Sequence, residues 1–145
     1  MALKLIVGLD GGAAGERALA HAKRLARMAA EAELILVYVV EWSPFTFQSA
    51  EENAQRHKRR EEEISVAHDR ILDPSVKAAA ADGFAVRGIV RHGKVAELLN
   101  RVALEENADQ IVVARSSSEG IMGRVFGSAT ANLVMGASVP VTVVV

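Results

Sequence analysis

The chain has 145 residues, with 17 lysines and arginines against 18 aspartates and glutamates, and no cysteine. One domain of this length buries a sizeable core. The near-neutral balance gives no basis for nucleic-acid binding, and without cysteine there is no disulfide, thiolate nucleophile or Cys-based metal site. Half of the residues are apolar, yet no run reaches membrane-spanning length. The strand-like start at Leu3 leaves no room for a secretory leader, so a cytoplasmic protein without membrane association is expected.

Leu3–Leu9 is apolar at nearly every position and stops at Asp10-Gly11-Gly12, as a strand covered on both sides of a parallel sheet would. Ala14–Ala30 turns helical, with Ala18, Leu19, Ala22, Leu25, Ala26 and Ala29 on one side and Arg17, Lys23, Arg24 and Arg27 on the other. Glu33–Val40 is a second buried strand. The nearest acidic residue, Glu41, comes one position past its expected end.

Glu41–Ser49 is irregular and gathers Trp42, Phe45 and Phe47 around Pro44. Such a loop is a lid, a dimer contact, or aromatics folded onto the surface. Ala50–Ala81 is a long charged helical region. Its Arg56–Arg60 run is offset by Glu51, Glu52 and Glu61–Glu63 at helical spacing, which makes a solvated face rather than a basic patch. Asp73-Pro74 is expected to interrupt or kink it, and Pro74 also suits the first turn of a new segment with Asp73 as its cap.

Phe84–Arg91 alternates weakly and belongs near a sheet edge. Helix Val95–Asn107 carries Val95, Leu98, Leu99, Val102 and Ala103 as its stripe. Lys94 precedes it, a cation at a helix amino end. Ile111–Ala114 is the fourth strand. It stops at Arg115-Ser116-Ser117-Ser118, and Gly120, Gly123 and Gly127 follow. A last helix is expected over Ser128–Met135, with Gly136 as its left-handed stop. Val139–Val145 is a final, bare apolar strand. Alternation of this kind gives a parallel sheet wound on both faces. Ligands then sit outside the strands' carboxyl ends at the switch point, where Asp10 and the residues after Ala114 would share a crevice.

In order and spacing the chain resembles the universal stress protein family from end to end. The resemblance is carried by Leu9-Asp10-Gly11, Tyr38-Val39-Val40, Arg91-His92-Gly93-Lys94, Asn107-Ala108-Asp109, Gly127-Ser128-Ala129 and Val139-Pro140-Val141. It implies an α/β Rossmann-like fold: one domain over residues 1–145, with a five-stranded parallel sheet in the order 3-2-1-4-5 and helices on both faces. ATP-binding members carry Gly-x-x-Gly, nine residues, then Gly-Ser or Gly-Thr. Here Ala114-Arg115-Ser116-Ser117, nine residues and Gly127-Ser128 keep that spacing, with Ala114 and Ser117 in place of two glycines. An alanine is strained only if its backbone needs positive φ.

The resemblance implies an ATP-binding regulatory module that acts in stress response as a homodimer through Val139–Val145. Asp10 would bond the ribose or adenine end, and Val40 would present backbone to adenine. Arg115, Ser117, Gly127 and Ser128 would surround the phosphates with a divalent cation such as Mg2+. Gly11, Gly93 and Ala114 complete the expected binding set. Gly12 and Ala13 replace a Ser and an acidic residue frequent in the family. A nucleotide-free protein working through protein contact, and a slow ATPase or phosphotransferase, are the alternatives. No catalytic set, protein metal site, Walker loop or dinucleotide fingerprint is expected: His21, His57, His68 and His92 lie on separate elements.

Overall fold

The computed structural model describes residues 2–41, 50–115 and 121–145, and among these all side chains except those of residues 53 and 121–128. The elements in chain order are β1 (Leu3–Leu9), α1 (Ala13–Met28), β2 (Ala32–Glu41), α2 (Ala50–Ala67), a π-helical turn (His68–Leu72), α3 (Asp73–Ala81), β3 (Ala85–Gly93), α4 (Val95–Glu105), β4 (Gln110–Ala114), α5 (Ile121–Gly136) and β5 (Val141–Val144). The five strands form one sheet in the order β3-β2-β1-β4-β5. Every pairing is parallel.

Alternation along the inner strands sorts the core into two layers. Ile6, Ile35, Val37, Val39, Ile111 and Val113 face one way and meet Leu98, Leu99 and Val102 of α4 and Leu133 of α5. Leu5, Val7, Leu34, Leu36, Val112 and Ala114 face the other way and meet Ala14, Ala18, Ala22 and Ala26 of α1, together with Leu72. Alanines on α1 let its backbone lie close against the sheet. Both layers are needed because every residue of an inner parallel strand is covered.

The edge strand β3 is tied across the sheet by charge. Arg87 donates to Glu33 on β2 at 2.7 Å and forks onto both carboxylate oxygens of Glu106. These bonds hold the Glu106 carboxyl below the ordinary glutamate range. Nearby, Arg91 pairs with Glu105 at 2.7 Å.

Four local expectations change. Asp73 does not cap a new helix: its backbone is helical, and the chain passes through the π turn instead. Pro74 has no N–H to give and crowds the preceding turn. A widened turn absorbs that without a break, and Ser75 Oγ donates to the Ile71 carbonyl at 3.2 Å. The last helix begins at Ile121, so Gly127 and Ser128 stand inside α5 rather than at its start. Between Ile121 and Gly127, Met122 and Arg124 favour a helix, Val125 and Phe126 are tolerated in one, and one interior glycine, Gly123, costs only about 1 kcal/mol. Gly136 stays in α5 without a positive φ. The left-handed positions after helices are Gly83, at φ 92, and Asn107, at φ 52. The final strand covers Val141–Val144, with Pro140 before it, where its carbonyl accepts from Ile111 N. The aromatic stretch Trp42–Phe47 lies outside the described residues.

Candidate functional site

The sheet's strand order reverses beside β1, whose neighbours are β2 and β4. β1 ends at Leu9, opposite Tyr38. β2 runs three residues further, so on the β1 side the backbone of Val39–Glu41 has no strand neighbour. A cavity of about 320 Å³ opens there. That lies at the lower end of the range for small-molecule sites, about 300–1,000 Å³.

Asp10 is the best-anchored polar group of this cavity. Its Oδ1 accepts from Gly12 N and Gly15 N, both at 2.8 Å. Gly12, in the N-cap position, has no side chain to satisfy the first turn of α1. Asp10 does so from two residues upstream, and its negative charge suits the helix's amino end. Oδ2 has no partner among the described residues. The turn is sterically exacting. Gly11 has φ 78 and lies under Ile71. A Cβ on Gly15 would stand 2.7 Å from Asp10 Oδ1 and 2.8 Å from Asp10 N.

The other walls are mixed. Val37, Val39, Val95, Leu99, Val113 and Leu133 are apolar. Tyr38 is half-buried, and its phenol is pushed up by burial, then by the charges of Asp10 and Glu41. The phenol therefore stays a hydrogen-bond donor. Asp10 and Glu41 supply carboxylate acceptors, and the free edge of β2 supplies backbone groups. A flat apolar ring with donors, attached to a hydroxylated ring, fits this donor and acceptor set. Phosphates do not suit the Asp10 end.

A second cavity, about 510 Å³, adjoins the first through Glu41, Val95, Ala129 and Leu133. It runs along Gly93, Lys94 and Glu97 to Asn132 and Gly136. Among the described residues, no group of three His, Cys, Asp or Glu is placed to hold a metal ion, and no helix is long and apolar enough to cross a membrane.

The model of the universal stress protein family matches residues 1–145, the length of the chain. The chain belongs to the universal stress protein family. No curated protein matches it. Among solved structures it is similar to universal stress protein UspA from Lactobacillus plantarum, at 19% identity and a TM-score of 0.80 over 99% of this chain and 97% of that one. It is also similar to a universal stress protein solved in complex with cAMP, at 26% identity and a TM-score of 0.61 over 99% and 96%. A third is a family member from Arabidopsis thaliana with AMP bound, at 14% identity and a TM-score of 0.67 over 98% and 90%.

In this universal stress protein, Asp10, Val40 and Ala114 line the first cavity, and Gly93 lines the second. Gly11 lies in the turn beneath Ile71 and lines neither cavity. Arg115 leaves β4 with its backbone held at both ends: its N–H donates to the Val144 carbonyl at 2.7 Å, and its carbonyl accepts from the Arg17 guanidinium. Ser117 lies outside the described residues. Ala114 is the last residue of β4, buried, and without positive φ. The backbone there makes no demand for glycine. Tyr38 and Gly15 were not singled out from the sequence. Gly15, a glycine in an alanine-rich helix just after Asp10-Gly11-Gly12, was the available signal. Glu41 belongs to β2 after all: the strand ends on an acidic residue.

Proposed function

We propose that this chain, acting as one domain over residues 1–145, is an adenine-nucleotide-binding regulatory module of the stress response. The observation that carries the reading is Asp10. Its Oδ1 is locked by two backbone N–H groups, and its Oδ2 has no partner among the described residues, in a cavity of nucleoside character. Ribose hydroxyls donate to Oδ2, while adenine lies against Val39–Glu41 and takes backbone bonds at Val40. The phosphates run toward the chain after Ala114, with Arg115, Ser117, Gly127 and Ser128 around them and Mg2+ alongside. Neighbours solved with AMP and with cAMP support an adenine nucleotide. ATP is the nucleotide proposed because the spacing from Ala114 to Gly127-Ser128 matches that of ATP-binding members of the family.

The protein works in the cytoplasm as a homodimer through β5. That strand is a sheet edge, with its Val143 36% exposed and Val145 just after it 80% exposed, and a bare apolar edge invites pairing. Regulation by occupancy, rather than turnover, is its output.

The test is direct. With one Trp and one Tyr, the protein absorbs weakly at 280 nm, so a co-purified nucleotide dominates near 260 nm. Nucleotide released on denaturation, or heat on titration with Mg-ATP, is expected. If neither appears, the reading fails and a nucleotide-free protein working by contact replaces it. Phosphate release that disappears in Asp10→Ala would instead establish a slow ATPase. A monomer by light scattering at micromolar concentration would overturn the dimer.

A further inference from the structure

We infer that Glu41 is a specificity-determining residue of the nucleotide cleft: it selects adenine nucleotides whose ribose 2′- and 3′-hydroxyls are free, and rejects those esterified there. This rests on the adenine-nucleotide reading above and goes beyond it by naming which nucleotides enter.

The case is built on where β2 ends. β1 stops at Leu9, opposite Tyr38, but β2 continues through Glu41. The extra residues carry a carboxylate to the border of the cavity that Asp10 also lines. Glu41 is held there by backbone pairing with Gly93 of β3, so its position belongs to the sheet. Two strand ends thus deliver two carboxylates to one cavity, and Tyr38, half-buried between those strand ends, responds to both charges. No lysine or arginine lines this cavity among the described residues; Lys94 stands on the wall of the neighbouring cavity.

Carboxylates accept from hydroxyls and repel phosphates. In dinucleotide-binding doubly wound folds an acidic residue near the end of the second strand takes a ribose hydroxyl, whereas a 2′-phosphate needs a cation there; this chain lacks that fingerprint but has a carboxylate at the same strand end. A ribose with both hydroxyls free offers two donors to Asp10 and Glu41. A 2′- or 3′-phosphate, or the 3′,5′-cyclic phosphate, removes a donor and brings negative charge against Glu41. At a partly solvated site two like charges a few ångströms apart cost enough for at least a tenfold change in affinity. In this respect the chain would part from its relative solved with cAMP.

The experiment is calorimetric titration of the full chain with 5′-AMP, 3′,5′-cyclic AMP and adenosine 3′,5′-bisphosphate. Wild type is expected to bind 5′-AMP at least about tenfold more tightly than either of the others at low salt, with the ratio shrinking as salt screens the repulsion. Glu41→Gln, which keeps the shape and removes the charge, is expected to bring the three within about threefold of one another. Glu97→Gln, on the neighbouring cavity, should keep the wild-type ratio and controls for a general loss of negative charge. Wild-type affinities within about twofold of each other, or an unchanged ratio in Glu41→Gln, would overturn the role of Glu41 while leaving the nucleotide reading intact. If 5′-AMP, ATP and cyclic AMP all fail to bind, that reading falls and takes this inference with it.

Discussion

Beside the switch point, the β1–α1 turn and the end of β4 are held in opposite ways. At the β1–α1 turn nearly everything is specified by contact. Asp10 caps α1, Gly11 takes a left-handed φ, and Gly15 leaves no room for a Cβ. At the β4 exit specification is by backbone. Ala114 ends a plain strand, and Arg115 is held by the Val144 carbonyl and the Arg17 guanidinium. The difference teaches where a site tolerates change. A carboxylate that caps a helix cannot be altered without cost to the fold, whereas the position that carries glycine in ATP-binding relatives takes alanine here because its backbone is extended. On the proposed nucleotide reading, binding and stability share the Asp10 carboxylate at the first crossing and are separable at the second.

The largest effect that would break this contrast is at Gly15. Gly15→Ala forces a methyl against Asp10 N and Leu9 Cα, backbone atoms that cannot swing aside. A loss of about 2–3 kcal/mol is expected on chemical denaturation, in the upper range for overpacking. A loss under about 0.5 kcal/mol would show the turn to be softer than its contacts imply. Next, Asp10→Ala should cost about 1 kcal/mol through the lost cap, while Asp10→Asn, itself a good capping residue, should cost much less. Nucleotide affinity should fall in both variants. Parallel denaturation and calorimetry separate the two duties, and equal destabilisation by both would deny Asp10 its capping role.

At the second crossing, Ala114→Gly restores the residue of the ATP-binding pattern. Because Ala114 needs no positive φ, a gain in ATP affinity is not expected, and stability should fall by about 0.5–1 kcal/mol from strand entropy. Tighter ATP binding would refute the separation drawn above. Arg87 serves as a reference far from both crossings. Arg87→Ala should cost less than about 1 kcal/mol at neutral pH, since the pairs are largely exposed, and should leave ligand affinity alone. Glu106 has a lowered pKa in the fold. The pair's contribution is therefore present above the ordinary glutamate range and lost as pH falls through the depressed folded value. The stability difference between wild type and Arg87→Ala should shrink along that course in urea titrations at stepped pH.

The smallest effect is spectroscopic. The chain has one tyrosine, so absorbance near 295 nm follows a single phenol. Its midpoint should lie above the ordinary value of about 10, and Asp10→Asn should bring it down by removing one of the charges that raise it. An unshifted midpoint would mean that Tyr38 does not feel the carboxylates of the cleft.

The parallel sheet covered on both faces was legible in sequence because inner strands need apolar residues at nearly every position, whereas the strand order came from the family resemblance. Leu34–Val40 carries the apolar signal without interruption, and Leu3–Leu9 does so apart from Lys4. Asp10 was legible as a polar stop after a buried strand. Its capping of α1 was not, because that duty depends on where Gly12 and Gly15 turn their N–H groups. Glu41 was read one residue outside its strand, since strand ends are fixed by the neighbour they pair with, here Gly93, and not by their own residue type. Tyr38 was hidden inside an apolar run. The start of α5 was misplaced because Gly127-Ser128 imitates a helix opening, while the residues after Ile121 carry little polar punctuation.

The π turn at His68–Leu72 sets phase. It amounts to an α-helix carrying one surplus residue, and in an α-helix each residue turns the axis by about 100°. Cutting out a single exposed residue there, Asp69 or Arg70, would leave α2 and α3 as one unbroken helix. Everything before the cut would then be rotated by roughly a quarter turn. Ala67 would leave the interior, while Ile71 and Leu72, which follow the cut, would keep their places over Gly11 and in the core. The long charged arm is thus set on the sheet by chain length as much as by residue type. In it, a one-residue deletion is a larger change than most substitutions.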